Sequence, residues 1–198
     1  MLSLSAEATQ SLRLKGVTVN ISIYAIATET FVPMLRSLSH VLDKGAEHAS
    51  ATKSDPAALV NARLAPDMYP LTQQVHLACD QARDTMARLS GQDASQSENN
   101  EKTLEELKAR IAKTINYIES VHADAFEGAE DRKITIPIPE NNIEFEMNGL
   151  QFLRDWALPH FYFHVVTAYD ILRNNGVDIG KIDYMNQVGE YIRQRNPA

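Results

Sequence analysis

The chain has 198 residues, of which 44% are hydrophobic and 23% are charged, and these values are typical of one globular domain. Acidic residues outnumber basic ones by 26 to 19, for a formal charge of −7, which argues against nucleic-acid binding because phosphate contacts require a basic surface. A single cysteine excludes an internal disulfide and every metal site built from several thiolates. No apolar run approaches the roughly 20 residues that span a bilayer, so we expect no membrane association and a cytoplasmic protein.

Residues 1–27 are predicted to be a variable extension that docks partly on the domain. Hydroxyl side chains interrupt any apolar stripe there, and Arg13 and Lys15 are too few basic residues for an organelle transit peptide. The segment also lacks the apolar region and the cleavage site of a secretory signal. We therefore expect a bundle domain over residues 28–184 and a tail over residues 185–198.

Three long stretches repeat apolar residues every three or four positions, the spacing of a helix that buries one face. The predicted helices span residues 28–48, a stretch that begins at Pro66 and runs to Leu89, and residues 101–125. Between the first two, Asp55-Pro56 predicts a short helical turn, because an aspartate N-cap is followed by a proline at the first helical position. In the third helix most charged residues, Arg110 included, are expected on the solvent side.

The pattern changes to strict alternation over residues 134–138 and again over residues 143–147, which predicts a small β-hairpin. A fourth helical region follows and ends near Asn174. Pro159 is predicted to divide it into a short turn and a main helix that starts at the proline, and the tail is expected to add one short helix around residues 187–195. The pattern predicts an all-α four-helix bundle with a hairpin inserted before the last long helix.

The last helix carries two histidines, His160 and His164, four positions apart. This spacing places both imidazoles on one helical face, as in helical metal sites. An open catalytic metal site needs a third ligand, and His76, at the edge of the core stripe of the second helix, is the best candidate. Asp80, one turn further on, could orient or support a ligand without binding the metal itself. Cys79 could replace His76, although a lone cysteine is more often a small core residue.

The same histidines can also be packed without a metal. A neutral imidazole inside a bundle needs a hydrogen-bond partner, and a carbonyl or hydroxyl group on a facing helix would supply one for each ring. The sequence contains no phosphate-binding loop, nucleophile elbow or paired-carboxylate motif. Catalytic residues are therefore unknown at this stage.

Three blocks of sequence resemble one known family. They comprise residues 61–71 continuing to 74–80, residues 128–132, and residues 157–165 with 167–173 and Gly176. Over about residues 28–184 the chain resembles an uncharacterised bacterial and fungal family, classed as a domain of unknown function within the DinB/YfiT-like superfamily. The resemblance implies an up-and-down four-helix bundle as the fold.

The superfamily also implies a metal. Its members commonly hold a divalent ion with one histidine on the second helix and two, four apart, on the last helix, and His76, His160 and His164 match these places. Some relatives are thiol-dependent transferases or isomerases. The resemblance therefore implies a hydrolase or a thiol-dependent transferase that acts on a small molecule. Zinc or nickel suits three imidazoles, and Asp80 or Tyr169 would assist.

A second interpretation is a non-enzymatic binding module. In it the histidines are packed without a metal, and the helices bind a small ligand or a partner helix. The last helix is apolar on several faces, which predicts a homodimer because isologous dimers are the commonest way to bury such a surface. The two interpretations differ in whether added metal raises the stability of the fold.

Overall fold

The structure is a computed structural model that describes residues 21–93 and 98–193, together with the backbone of two short paired strands, β1 (Arg13–Leu14) and β2 (Val17–Thr18). Most of the predicted extension, and the end of the tail helix predicted around residues 187–195, lie outside the described residues. Helix α1 (Ile23–Thr52) begins before its expected start at residue 28, because the Ser22 hydroxyl accepts a hydrogen bond from the Ala25 amide and caps the helix.

In the described part of the chain, four long helices form the bundle. They are α1, α3 (Leu71–Leu89), α4 (Leu104–Ser120) and α6 (Leu158–Asn174). The short helix α2 (Pro56–Asn61) follows α1 and is capped by Asp55, as predicted. Helices α5 (Gly149–Gln151) and α7 (Lys181–Tyr184) flank α6, and a 3-10 turn at Asn186–Tyr191 follows α7. None of the described helices is long and apolar enough to cross a membrane.

Each bundle helix packs against two others. Helix α3 packs against α6 on one side and α4 on the other, and α1 packs against α4 and α6. Consequently α1 and α3, which are consecutive long helices, lie diagonally across the bundle. This arrangement gives α3 two separate polar neighbourhoods, one at α6 and one at α4.

The core consists of the apolar positions that helical spacing predicts. Fully buried members include Leu35, Leu38, Leu42, Val75, Ala82, Met86, Leu107, Ile111 and Ile118. Phe31 of α1 meets Phe161 of α6 edge to face, with ring centroids 4.9 Å apart, a favoured aromatic geometry. The predicted all-α bundle is confirmed by this packing.

Strands β3 (Lys133–Ile138) and β4 (Ile143–Asn148) form the predicted antiparallel hairpin, with Ile134 opposite Met147. The connection passes through the left-handed residue Asn142, whose φ is 51°. Ile134 is buried in the bundle core, whereas the side chains near the turn are exposed. The hairpin therefore contacts the bundle through one end and pairs with no further strand among the described residues.

The prediction that Pro159 divides the last helical region is wrong, because the helix is continuous over residues 149–174. Phe152–Ala157 form a π-helical turn, in which the Leu158 amide donates to the Leu153 carbonyl five residues earlier. A proline has no amide hydrogen and its ring clashes with the carbonyl four residues earlier in a regular α-helix. The wider π turn accommodates the proline without ending the helix.

Four further expectations about the middle helices were wrong. Helix α3 begins at Leu71 instead of Pro66, since Pro70 cannot continue a helix. Thr103 forms a capping box and starts α4 there, which leaves Glu101 in the preceding loop. The helix also ends at residue 120, before a 3-10 turn. Arg110 is 6% exposed and does not lie on the solvent side.

Candidate functional site

Two buried polar clusters lie on opposite sides of α3. Gln74 contacts His164 of α6, and His76 contacts Glu101 in the loop before α4. Because successive residues of a helix are rotated by about 100°, side chains two positions apart point about 160° away from each other. The rotation of α3 thus separates the environments of Gln74 and His76.

On the α6 side, His164 is held by a chain of hydrogen bonds. Its Nδ1 atom lies 2.7 Å from Gln74 Oε1, and Gln74 Nε2 donates to the Tyr69 carbonyl at 3.1 Å. The second bond fixes the orientation of the amide, whose oxygen can only accept. His164 Nδ1 therefore carries the proton, and the ring, which is 5% exposed, has a protein partner.

His160 lies beside His164, as their spacing predicts. The ring centroids of the two histidines are 4.8 Å apart, and the His160 centroid is 6.0 Å from that of Trp156. Burial lowers the pKa of His160, and burial together with the neighbouring His160 lowers the pKa of His164 to about 4. Both imidazoles are consequently neutral at pH 7.

On the α4 side, His76 is 2% exposed and its Nε2 atom lies 2.8 Å from Glu101 Oε2. The two groups are not aligned for a hydrogen bond. His76 Nδ1 and Nε2, Glu101 Oε2 and Arg110 Nε therefore have no hydrogen-bond partner among the described residues. Burial and the charge of Arg110 lower the pKa of His76, so this ring is also neutral at pH 7.

Arg110 connects this cluster to the surrounding chain. Its Nη1 atom donates to the Glu98 carbonyl at 2.9 Å and to the Glu101 carboxylate at 3.1 Å. Its Nη2 atom donates to Asp80 at 2.7 Å and to the Asn99 side-chain oxygen at 2.9 Å. Through these bonds one guanidinium ties the loop before α4 to both α3 and α4.

The structure brings His160 and His164 together and places His76 apart from them, on the other side of α3. In residues 21–93 and 98–193, no group of three or more His, Cys, Asp or Glu residues is arranged to hold a metal ion. An open zinc site takes three protein ligands, whereas this pair supplies only two imidazoles. The residues present do not fit a resident zinc or nickel ion, and metal binding stays a prediction.

The residues predicted to support a metal lie apart as well. Asp80 accepts from Arg110 on the α4 side. The Tyr169 hydroxyl lies 3.5 Å from the Ile179 carbonyl, close to the carboxyl-terminal segment. Cys79 is buried, and burial raises the pKa of its thiol to about 12, which makes it a poor nucleophile or ligand at neutral pH.

The sequence reasoning missed Gln74, Arg110 and Glu101. For two of them the helical spacing could have predicted burial. Gln74 is three positions after the buried Leu71, and Arg110 is three positions after the buried Leu107. Polar residues at such places lie on the buried stripe of their helix. Glu101 gave no comparable signal, because it lies in a loop where helical spacing does not apply.

Comparison with known proteins identifies the family. Residues 23–185 match the profile of the family described as Domain of unknown function (DUF1993). The chain is also similar to a crystal structure of a DinB family member protein from Shewanella denitrificans, with a TM-score of 0.75 and 39% sequence identity over 82% of this chain and 91% of that one. No curated protein matches the chain. The chain therefore belongs to the DUF1993 family and has the helical-bundle fold of a DinB family member.

Proposed function

We propose that this protein is a non-enzymatic binding module, a helical bundle in which the buried His164 is held by protein groups. The observation that carries this proposal is the 2.7 Å contact between His164 Nδ1 and Gln74 Oε1. With the bond from Gln74 to the Tyr69 carbonyl, it gives the buried imidazole the partner that burial requires.

The hydrolase and thiol-dependent transferase functions implied by the superfamily would depend on a metal held by His76, His160 and His164. His76 is engaged with Glu101 on the α4 side, and its ring would have to cross α3 to join the pair on α6. This separation favours the binding module over a metalloenzyme. The free cysteine Cys79 is buried and compatible with a reducing compartment, so the proposed location is the cytoplasm.

The linkage of metal binding to stability tests the proposal. A ligand that binds only the folded state stabilises it by about 2.7 kcal/mol at a hundredfold excess over its dissociation constant, which would raise the melting temperature by several degrees. We expect no rise when zinc or nickel is added at pH 7.5 to protein purified without a histidine tag. A rise that His164→Ala abolishes and His48→Ala retains would overturn the proposal.

The proposed macromolecular partner is a second copy of the chain. Helix α6 buries most of its surface in the bundle, yet Phe163 and Val166 are 57% and 39% exposed on one side. An isologous contact between two α6 helices would cover these side chains. We infer a homodimer with this stripe at its centre.

Light scattering tests the homodimer. At micromolar concentration we expect twice the chain mass of 22.1 kDa, and we expect Phe163→Glu to halve it without a change in the far-ultraviolet circular dichroism. Ile182→Glu is the matched control, because Ile182 is 60% exposed on α7 and lies outside the stripe. A parent protein of monomer mass would contradict the inference.

A further inference from the structure

A groove of 640 Å³ lies between α1, α6 and the carboxyl-terminal segment. This volume falls within the range of about 300–1,000 Å³ that small-molecule sites occupy. Its lining includes Met34 and Glu29 of α1, Tyr162 of α6, and Glu190 and Tyr191 from the 3-10 turn. None of these residues belongs to the two polar clusters on α3, so the groove is a separate candidate site.

Polar contacts fix the carboxyl-terminal wall of the groove against α1. His40 Nε2 lies 3.1 Å from Asp183 Oδ1. The buried hydroxyl of Ser37 lies 3.2 Å from Asn186 Oδ1 and 3.1 Å from Gln187 Oε1. These contacts hold the 3-10 turn in one place, so the groove is formed by the folded chain before any ligand binds.

The groove carries unpaired negative charge. Within the described residues, the side chains of Glu29 and Glu190 form no ion pair or hydrogen bond. Arg36 also lines the groove, but its guanidinium is paired with Glu119 at 2.8 Å. Two carboxylates therefore have no counter-charge in residues 21–93 and 98–193, and they favour a cationic ligand.

Two tyrosines add to this preference. Tyr162 and Tyr191 both line the groove, and the face of an aromatic ring attracts an ammonium group through its quadrupole. Burial raises the pKa of Tyr162, so its ring stays in the neutral phenol form at physiological pH. Met34 supplies a polarizable apolar surface for alkyl groups.

We propose that this groove binds a small organic cation of the alkylammonium class. The carboxylates of Glu29 and Glu190 balance the positive charge, and Tyr162 and Tyr191 contact the alkyl groups around it. An anionic ligand would be repelled by both carboxylates, and a neutral ligand would leave their charge unbalanced. The inference rests on the proposed binding function and names the ligand class of that module.

Titration of the full-length protein with tetraethylammonium chloride, followed by amide chemical shifts at constant ionic strength, tests the inference. We expect saturable shifts confined to residues 29–36, Tyr162 and residues 186–191. A parallel titration with butylammonium distinguishes a quaternary from a primary ammonium ligand, and saturable binding of either supports the class. Absence of saturable shifts with both cations would overturn it.

Matched variants separate charge from general surface effects. The double variant Glu29→Gln/Glu190→Gln should weaken tetraethylammonium binding at least about tenfold, the equivalent of about 1.4 kcal/mol. Glu105→Gln removes an exposed glutamate of α4 that lies outside the groove and should bind like the parent. Equal affinity of the double variant and the parent would overturn the proposal.

The two proposals fail in different ways. If no cation binds and zinc or nickel does not change the melting temperature, the alkylammonium ligand is rejected. The proposal that the histidines bind no metal is then unaffected. Cation binding together with a metal-dependent rise would support the groove and reject the non-enzymatic assignment.

Discussion

Removal of Arg110 should destabilise the protein strongly, because its guanidinium lies at the centre of a buried charge cluster. The residue is 6% exposed, and it pairs with Asp80 at 2.7 Å and with Glu101 at 3.1 Å. In Arg110→Met the side chain keeps a similar volume but the charge is lost. Two carboxylates would then lie beside the neutral ring of His76 without a cation.

The expected loss follows from this uncompensated charge. Removal of one partner of a buried ion pair costs about 3–5 kcal/mol, and Arg110 also holds the Glu98 carbonyl and the Asn99 side chain. We therefore expect a loss of about 4 kcal/mol in the free energy of unfolding. For a chain of this length, that loss lowers the melting temperature by about 10 °C.

Urea unfolding followed by circular dichroism measures the difference. Arg154→Met is the control, because Arg154 pairs with Asp155 at 2.7 Å while both side chains are more than half exposed, and such surface pairs contribute little to stability. Adding Asp80→Asn and Glu101→Gln to Arg110→Met should recover part of the loss, since the unpaired charges are removed together. Equal losses in Arg110→Met and Arg154→Met would refute the buried-charge explanation.

Three further predictions use the same unfolding assay. The pKa of His164 is about 4 in the folded protein and about 6.5 in the unfolded chain, so protonation of this ring favours unfolding. The free energy of unfolding should therefore be highest above about pH 6.5 and should fall as the pH is lowered towards 4. In His164→Gln this fall should be less steep. Gln74→Leu removes the acceptor of the His164 proton and should cost about 1–3 kcal/mol, and a neutral outcome would contradict the hydrogen-bond chain. Gly149→Ala should lower the free energy of unfolding because the added carbon would overlap the Ala129 carbonyl oxygen, whereas Gly189→Ala, which meets open space, should leave it unchanged.

Local patterns were sufficient to predict the fold. Each pattern depends only on the residues of its own segment, and each corresponds to an observed element. The patterns are the apolar spacing of the long helices, the Asp55-Pro56 cap and the alternation over residues 134–147. Pro159 was misread because the rule that a proline ends a helix describes the regular α-helix. A π turn just before the proline changed the hydrogen-bond pattern, and nothing in the local sequence announced it.

The candidate site could be predicted only in part. The contact between His160 and His164 follows from spacing along one helix, and the ring distance agrees with it. Whether His76 joins this pair depends on the rotation of α3, where polar residues flank the buried Val75 on both sides. Gln74 faces α6 and His76 faces α4, and this choice is made by packing between helices that are distant in sequence.

The π turn at Phe152–Ala157 has a consequence for changes in chain length. A π turn accommodates one residue more than an α-helical turn, so deletion of one residue there would restore a regular helix without rotating the hairpin relative to α6. The hairpin would keep its place beside Trp156, whose ring centroid is 5.2 Å from that of Phe145, but the ring of Pro159 would then clash with the carbonyl four residues earlier. Homologues one residue shorter at this point should therefore lack Pro159 and carry the hairpin in the same orientation on an unchanged core.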